Sequence, residues 1–328
     1  MSKSGLVLII VGLATFSSQS QAASNTDFKL ALTDHPGQLH WSAEGFKVIQ
    51  SSAKANGHEI GIRGKDASGR LTFLGFLFLF PEHAPLTSTK CRDGVLDPEK
   101  KSNPNMKVIG TSEIVQPSGP PISLTNYTEQ EHDGKLTYRV RGFVATGDIC
   151  GDLEFYSATP IGLGDEDLKK VFSTYRLDEN YFPQFNDLLL YGQILYDTHM
   201  YKAAAPVFEK ALTQVKQSPD PTTWTRVVTD QAGMAYGISG NIQKARALFL
   251  AAIARDPDYP LYYYNLACAD AEQNNLADAR KHLQEAFARK ANVVSGESVP
   301  DPTKDDSFTR YRDNKDFWKF LEDLQGKQ

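Results

Sequence analysis

Histidines, acids and cysteines are the side chains that could carry out chemistry in this sequence, and their spacing matches no established catalytic or metal-binding motif. The seven histidines are scattered, and none belongs to a His-Glu-x-x-His zinc motif. The sequence also lacks a Gly-x-Ser-x-Gly nucleophile turn and a phosphate-binding P-loop. We therefore expect no catalytic residue, no metal site and no cofactor.

Two short segments set acids beside a histidine: Glu82-His83 and Glu131-His132-Asp133. The second falls in a polar, hairpin-like stretch (129–134), which favours a solvated turn. Asp93 and Glu154 lie near two cysteines and could form a carboxylate pair, although acids in a β-rich domain are more often surface residues. An envelope enzyme, or a small-ligand or glycan-binding module, therefore stays an alternative interpretation of this half of the chain.

The first 22 residues have the pattern of a secretory signal peptide. Lys3 supplies a positive charge, and Gly5–Ala14 is an apolar segment that is too short to span a bilayer. Ser20-Gln21-Ala22 fits a cleavage site, so we expect a mature chain that begins at Ala23 or Ser24 and is secreted or periplasmic. A buried N-terminal strand or an uncleaved anchor is the alternative.

Composition and charge argue against several protein classes. Hydrophobic residues make up 41% and charged residues 23%, which is ordinary for a globular chain and argues against disorder. The formal net charge is −5, and it becomes −6 without the signal segment, which contains one lysine and no acid. This balance argues against nucleic-acid binding, and no later apolar stretch is long enough to span a membrane. Nothing in the sequence indicates the oligomeric state.

Export governs how the three cysteines are interpreted, because thiols outside the cytosol commonly form disulfides. Cys91 and Cys150 lie in the half of the chain with a strand-like pattern, whereas Cys268 lies in the helical half. We therefore predict a Cys91–Cys150 disulfide and a free Cys268. Closing a loop of about 60 residues would stabilise the fold by roughly 4 kcal/mol. No Cys-x-x-Cys spacing supports a redox pair.

Residues 25–158 have the alternating pattern of β-strands. Turn residues rich in Gly, Pro and Asn separate the candidate strands, and no amphipathic helix intervenes, so we predict an all-β, antiparallel, sandwich-like domain. The polar stretch 91–104 is interpreted as a surface loop. Residues 159–164 contain one proline and two glycines and are predicted to be the linker. The candidate strands are 59–63, 71–80, 106–115, 122–128, 135–146 and 152–157.

Residues 165–328 change to a helical period, and two segments repeat. Arg226–Tyr259 and Pro260–Val293 align without a gap at a spacing of 34 residues. One copy contains Ala232-Gly233, Tyr236, Gly240-Asn241, Ala245, Phe249, Ala252 and Asp256-Pro257, and the other contains Tyr263-Tyr264-Asn265-Leu266-Ala267. The predicted helices are 186–196, 203–215, 226–238, 242–255, 261–273 and 276–290.

These residues resemble the tetratricopeptide-repeat (TPR) family, in a form typical of exported bacterial proteins. The resemblance implies an all-α helical-repeat domain with about three repeats (185–225, 226–259 and 260–293), in which small residues lie at helix crossings. The last repeat departs from the family pattern at Asp270 and lacks the closing proline. The N-terminal β-rich domain resembles no characterised family.

A final helix is predicted at 313–325, after Asp313-Asn314-Lys315-Asp316. Phe317, Phe320, Leu321 and Leu324 form one apolar stripe on it. We interpret this helix as the cap that covers the open end of the stack, because a solenoid needs such caps. A partner-binding stripe is the alternative.

The TPR resemblance also implies a function: a non-catalytic scaffold that binds a protein or peptide in the concave groove of the first helices. It assigns Tyr264 to the groove and Tyr263 to the repeat core. The alternative is that the protein's own β domain or caps occupy the groove. The implied groove residues are Asn186, Leu189, Gln193, Tyr196, Asp230, Met234, Tyr264, Cys268 and Glu272.

Overall fold

The computed structural model of the chain describes residues 27–131 and 133–325. The predicted signal peptide (residues 1–22) and His132 lie outside the described residues. The described chain divides into two compact units between Leu195 and Tyr196. We call residues 27–195 the first unit and residues 196–325 the second unit.

Two antiparallel sheets make up most of the first unit, which confirms the predicted β-rich N-terminal fold. The strands are β1 (Asp27–Ala31), β2 (Gln38–Ser42), β3 (Phe46–Ala53), β4 (Glu59–Asp66), β5 (Leu71–Leu79), β6 (Lys107–Ile114), β7 (Ile122–Gln130), β8 (Leu136–Thr146), β9 (Ile149–Ser157) and β10 (Arg176–Asp178). The large sheet has the strand order β3-β4-β5-β9-β8-β7-β6, and the small sheet has the order β1-β2-β10.

An aromatic core lies on one face of the large sheet. The Trp41 ring of β2 lies 5.4 Å from Phe28 and 5.6 Å from Phe73 of β5, measured between ring centroids. A Cβ atom at Gly75 would overlap the Trp41 ring, so this close approach requires glycine in the middle of β5. Trp41 and Phe73 are fully buried. Aromatic burial of this kind is the main source of stability in a sheet-on-sheet core.

Helix α1 (Ser88–Ser102) covers part of the opposite face of the large sheet. The prediction of a surface loop at 91–104 is therefore wrong for most of that stretch. The predicted Cys91–Cys150 disulfide is confirmed: it joins α1 to β9 with a Cα–Cα distance of 6.0 Å, and both residues are fully buried. Cys91, Val95 and Leu96 are the apolar side chains by which this mostly polar helix packs on the sheet, and three such residues make too weak a pattern to predict a helix.

The end of the first unit is helical. Asp165 caps α2 (Glu166–Thr174), whose Phe172 packs edge-on against Phe155 at 5.9 Å. Residues 159–164, which were predicted to be the linker, have no regular secondary structure. The division between units falls later, because α2 and β10 pack with the two sheets. Helix α3 (Phe185–Asp197) then spans the division.

The second unit is helical, as predicted, and its long helices begin and end within a few residues of the predicted bounds. The helices are α4 (Tyr201–Thr213), α5 (Pro221–Ile238), α6 (Ile242–Arg255), α7 (Pro260–Glu272), α8 (Leu276–Ala288), α9 (Asp306–Thr309) and α10 (Lys315–Gln325). Asn241 and Asn275 cap α6 and α8 by accepting hydrogen bonds from main-chain nitrogens. Pro221 and Pro260 occupy the first positions of α5 and α7.

Small residues let these helices cross closely. Ala245 and Ala279 are fully buried, and Gly233 of α5 packs so tightly on α6 that an added Cβ would overlap the Phe249 ring. Phe249 and Leu283 fill the space around the crossings. This arrangement is the helical-repeat packing that the 34-residue spacing predicts. Within residues 27–131 and 133–325, we find no helix with both the length and the apolar character of a membrane span.

Candidate functional site

The residues that the sequence assigns to a groove fall on both units. Asn186, Leu189 and Gln193 lie on α3 before the division; Asn186 is exposed and Leu189 is buried. The second unit contains the other six. Of these, Tyr196 is buried and packs against Tyr201 at 5.0 Å. Whether these residues bind a partner stays a prediction.

A C-terminal segment of the chain lies against the groove residues of α7. This segment, residues 294–312, has little regular structure apart from a turn at Pro302–Lys304 and the short α9. We call it the strap. The Tyr259 hydroxyl, at the start of α7, donates to the Glu297 carboxylate over 2.8 Å. Further along, the Tyr264 hydroxyl donates to the Asp305 carboxylate over 3.0 Å.

The rest of the strap continues along α7 to its C-terminal end. Phe308 packs edge-on against Tyr264, with ring centroids 6.1 Å apart. Arg310 forms an ion pair with Glu272 at 2.9 Å. The Tyr311 hydroxyl donates to the Ala271 carbonyl oxygen over 2.5 Å. The strap therefore contacts the groove surface of α7 over the length of the helix.

The strap changes the roles expected for two neighbouring tyrosines. Tyr264 was expected to face an open groove, but it is 1% exposed and belongs to a core cluster with Phe308 and Phe317. Tyr263 is also buried, as expected, so the expected contrast between the two tyrosines is wrong. The physical reason is that the chain's own C-terminal residues cover α7. The sequence allowed for a groove occupied by the protein's own β domain or caps, but the residues that cover α7 belong to the segment before the predicted cap helix at 313–325.

Two acids, the buried Asp230 and the half-buried Glu297, lie at the start of the strap-covered surface. Asp230 of α5 accepts a hydrogen bond from the Asn265 amide over 2.6 Å. Burial raises the pKa of Asp230 to about 7, and the negative charge of Glu297 adds to the shift. Burial also raises the pKa of Glu297, although the hydrogen bond from Tyr259 partly offsets this. The folded second unit therefore favours the protonated form of Asp230.

The remaining groove residues differ in accessibility. Met234, one turn after Asp230, is half-buried and offers an adaptable apolar contact. Cys268 is the free cysteine, and its thiol lies 3.8 Å from the Asp305 carboxylate. Burial, together with the charge of Asp305, raises the pKa of the Cys268 thiol well above its ordinary value. A thiol that stays protonated is a poor nucleophile, so a packing role fits Cys268 better than a reactive one.

The acids that the sequence singled out in the first unit have separate partners. Asp93 pairs with its neighbour Arg92 at 2.7 Å. Glu154 accepts a hydrogen bond from Tyr127 over 2.7 Å and pairs with Arg139 at 2.9 Å. Glu154 thus belongs to a buried ion-pair network on the α1 face of the sheet.

The two acid–histidine segments give no catalytic arrangement. His83 packs edge-on against the Phe80 ring at 4.1 Å, and in the other segment only Glu131 and Asp133 are among the described residues. Throughout the part of the chain that the structure describes, no cluster of three or more His, Cys, Asp or Glu side chains is placed to hold a metal ion.

Comparisons with known proteins give structural likenesses only. No family model and no curated protein matches the sequence. MamA (residues 41 to the end) from Desulfovibrio magneticus RS-1 is 18% identical over 33% of this chain and 57% of its own, with a TM-score of 0.28. This chain therefore spans less than two thirds of that relative's length.

Two further solved structures show likenesses of the same low order. The Sgt2 TPR domain from Aspergillus fumigatus is 18% identical over 44% of this chain and 79% of its own, with a TM-score of 0.31. SycD, a type III secretion translocator chaperone from Yersinia enterocolitica, is 16% identical over 44% of this chain and 92% of its own, with a TM-score of 0.30. Likenesses this weak carry no argument about function.

Proposed function

We propose that this protein is an exported, non-catalytic scaffold whose second unit binds a peptide or an extended protein segment across α5 and α7. The observation that supports the proposal best is the strap itself. It is a largely irregular stretch of polypeptide, and it contacts the same α7 residues that the TPR resemblance assigns to a peptide groove. A surface that holds one extended segment in cis has the shape and polar groups to hold another in trans.

The contacts of the strap indicate the chemistry of such a partner. Glu297 and Asp305 accept hydrogen bonds from Tyr259 and Tyr264, and Phe308 supplies an aromatic ring that is fully buried. A partner segment that takes the place of the strap would therefore carry an acidic side chain with an aromatic anchor nearby. Aromatic anchors in buried pockets commonly dominate binding energy.

The strap then acts as a competitor for the partner. A partner can bind only the fraction of molecules in which the strap has left α7, so its apparent affinity is reduced by that fraction. Weakening the strap without disturbing α7 should raise the apparent affinity. In this competition, a partner and the strap exclude each other from α7.

A peptide of residues 294–312, added in trans, tests the proposal directly. We expect the labelled peptide to bind poorly to the mature wild-type protein, because the tethered strap holds the site. It should bind at least ten-fold more tightly to an Asp305→Ala variant, as measured by fluorescence anisotropy. The exposed neighbour Asp306 offers a matched control, because Asp306→Ala removes the same charge from the same segment.

Three results would count against the proposal. One is equal binding to the wild-type, Asp305→Ala and Asp306→Ala proteins. Another is the absence of binding to Asp305→Ala when hydrogen exchange shows that its strap has been released. The third is that a peptide with Phe308 replaced by alanine binds as well as the native peptide, because the aromatic anchor would then contribute nothing.

A further inference from the structure

A cavity of about 360 Å³ lies on the large sheet of the first unit. Strand register places it on the face opposite Trp41. One row of direct cross-strand neighbours contains Lys65, Thr72, Tyr156 and Arg139. Phe73, the residue after Thr72, points to the aromatic core, so this row lies on the other face. We call this cavity the basic pocket. It is lined by Arg63, Lys65, Gly69, Arg70, Thr72, Thr137, Tyr156, Ser157, Ala158 and Thr159.

The cations of the basic pocket lack acidic partners. Among residues 27–131 and 133–325, no carboxylate lies within ion-pair distance of Arg63, Lys65 or Arg70, whereas the adjacent Arg139 pairs with three glutamates. Lys47 lies directly across from Lys65 in the sheet and adds a further positive charge. In a chain with a net charge of −5, these cations form a local group that no direct ion pair neutralises, although the Arg139 cluster beside it holds three carboxylates. Such a cluster attracts an anion.

Arg63 is held in place for binding. Its guanidinium lies 5.8 Å from the centre of the Tyr156 ring and donates a hydrogen bond to the Tyr156 hydroxyl. The Arg139 guanidinium also stacks on the Tyr156 ring, at 5.2 Å. The Nε–H of Arg63 is buried and has no hydrogen-bond partner among the described residues. An unsatisfied buried donor is unfavourable, and an acceptor oxygen of a ligand would relieve that cost.

Hydroxyl groups complete the lining. The Ser157 and Thr159 hydroxyls lie 2.9 Å apart, and the Thr159 main-chain nitrogen donates to Ser157. Thr72 and Ser157 are almost fully buried. A guanidinium fork, an ammonium group and hydroxyls together suit a tetrahedral oxyanion with several acceptor oxygens. The volume of the pocket falls in the range of small-molecule sites, so an organic group can accompany the anion.

We propose that the basic pocket binds a small molecule that carries a phosphate monoester. Arg63 binds phosphate oxygens through its guanidinium edge, Lys65 and Arg70 neutralise the charge, and the hydroxyls of the pocket donate to the remaining phosphate oxygens. This site is distinct from the helical groove, because its lining shares no residue with the groove. Affinity should rise between about pH 5 and 7, because the second ionisation of a phosphate monoester has a pKa of about 6.

Calorimetric titration of the mature full-length chain tests this assignment with glucose 6-phosphate, glucose and inorganic phosphate as probes. We expect glucose 6-phosphate to bind, glucose not to bind, and inorganic phosphate to bind more weakly than the ester. A Lys65→Gln/Arg70→Gln variant should lose at least ten-fold in affinity, and both side chains are exposed, so the fold should be retained. Lys107→Gln, at the opposite edge of the same sheet, is the matched control and should bind as the wild type does.

Several outcomes would overturn the proposal. If glucose 6-phosphate bound no more tightly than glucose, the pocket would not recognise the phosphate group, and the proposed anion site would be wrong. An equal loss in Lys107→Gln would show that overall charge, rather than the pocket, governs binding. Phosphatidylglycerol vesicles form a further arm: if they bind and lose binding in the double variant while glucose 6-phosphate does not bind, the face contacts anionic membrane surfaces instead. None of these outcomes bears on the peptide groove.

Discussion

Replacement of Asp230 by asparagine should stabilise the second unit at neutral pH and remove much of its pH dependence between about 4 and 7. Asp230 is 8% exposed, and its hydrogen-bond partner is the neutral amide of Asn265. Glu297 adds a second negative charge in the same region. Asparagine has the same shape, keeps the oxygen that accepts from Asn265, and carries no charge.

The magnitude follows from the shift in the pKa of Asp230. In the folded chain this pKa is about 7, against an ordinary value of 3.8. A difference of roughly three pKa units corresponds to about 4 kcal/mol, at 1.36 kcal/mol per unit. The protonated carboxyl is favoured in the folded state, so its contribution to stability is fully present below about pH 4. That contribution is lost as the pH rises through about 7, because the folded state must then bury a carboxylate.

Amide hydrogen exchange of α5 and α7 is a suitable assay, because it reports on the second unit separately from the first. The Asp230→Asn variant and the wild type should be similar at pH 4.5 and differ by up to about 4 kcal/mol at pH 8. Asp258→Asn, which removes an exposed acid between α6 and α7, should show no such divergence. A constant difference between variant and wild type across this pH range would refute the reasoning, and so would a variant that is less stable at pH 8.

The remaining predictions concern packing and the disulfide. Gly233→Ala should destabilise the second unit by about 1–3 kcal/mol in thermal melts, because the new methyl group overlaps Phe249. Gly237→Ala is the control: its Cβ meets only an ordinary contact at 3.8 Å, so this variant should be neutral or stabilising. Tyr264→Ala should cost about 3–5 kcal/mol by leaving a cavity, whereas Tyr264→Phe should cost about 1 kcal/mol, and equal costs would contradict the burial of the ring. Cys91→Ala should lower the stability of the first unit by about 2–5 kcal/mol in urea titrations, and an unchanged midpoint would contradict the disulfide.

Local pattern was sufficient to predict the helices of the second unit. The helical period of each segment, the spacing of 34 residues between the two copies and the Gly240-Asn241 break between α5 and α6 are all present in the sequence itself. Helix α5 nevertheless begins at Pro221, before the predicted start at residue 226. Ala245 was predicted at a close helix crossing, and it is fully buried there. The six strands predicted between residues 59 and 157 also correspond to strands of the large sheet.

Other features could not be predicted, because they depend on which distant segments pack together. Helix α1 presents only a few apolar residues to the sheet, so its sequence resembles that of a loop. The basic pocket exists because strand register brings Tyr156 of β9 beside Lys65 and Thr72 of the β4–β5 hairpin, which lies far from β9 in the chain. No local motif signals that alignment.

The groove residues of α7 separate most clearly what the sequence determined from what the tertiary structure decided. The repeat pattern by itself determined that Tyr264, Cys268 and Glu272 share one face of α7, since residues four apart in a helix lie on the same side. Only the tertiary structure decided that this face is covered, because Asp305 and Phe308 reach it from a segment about forty residues later. The helical period depends only on neighbouring residues. Whether a helix face is covered depends instead on where a distant segment of the chain packs its own apolar and acidic side chains.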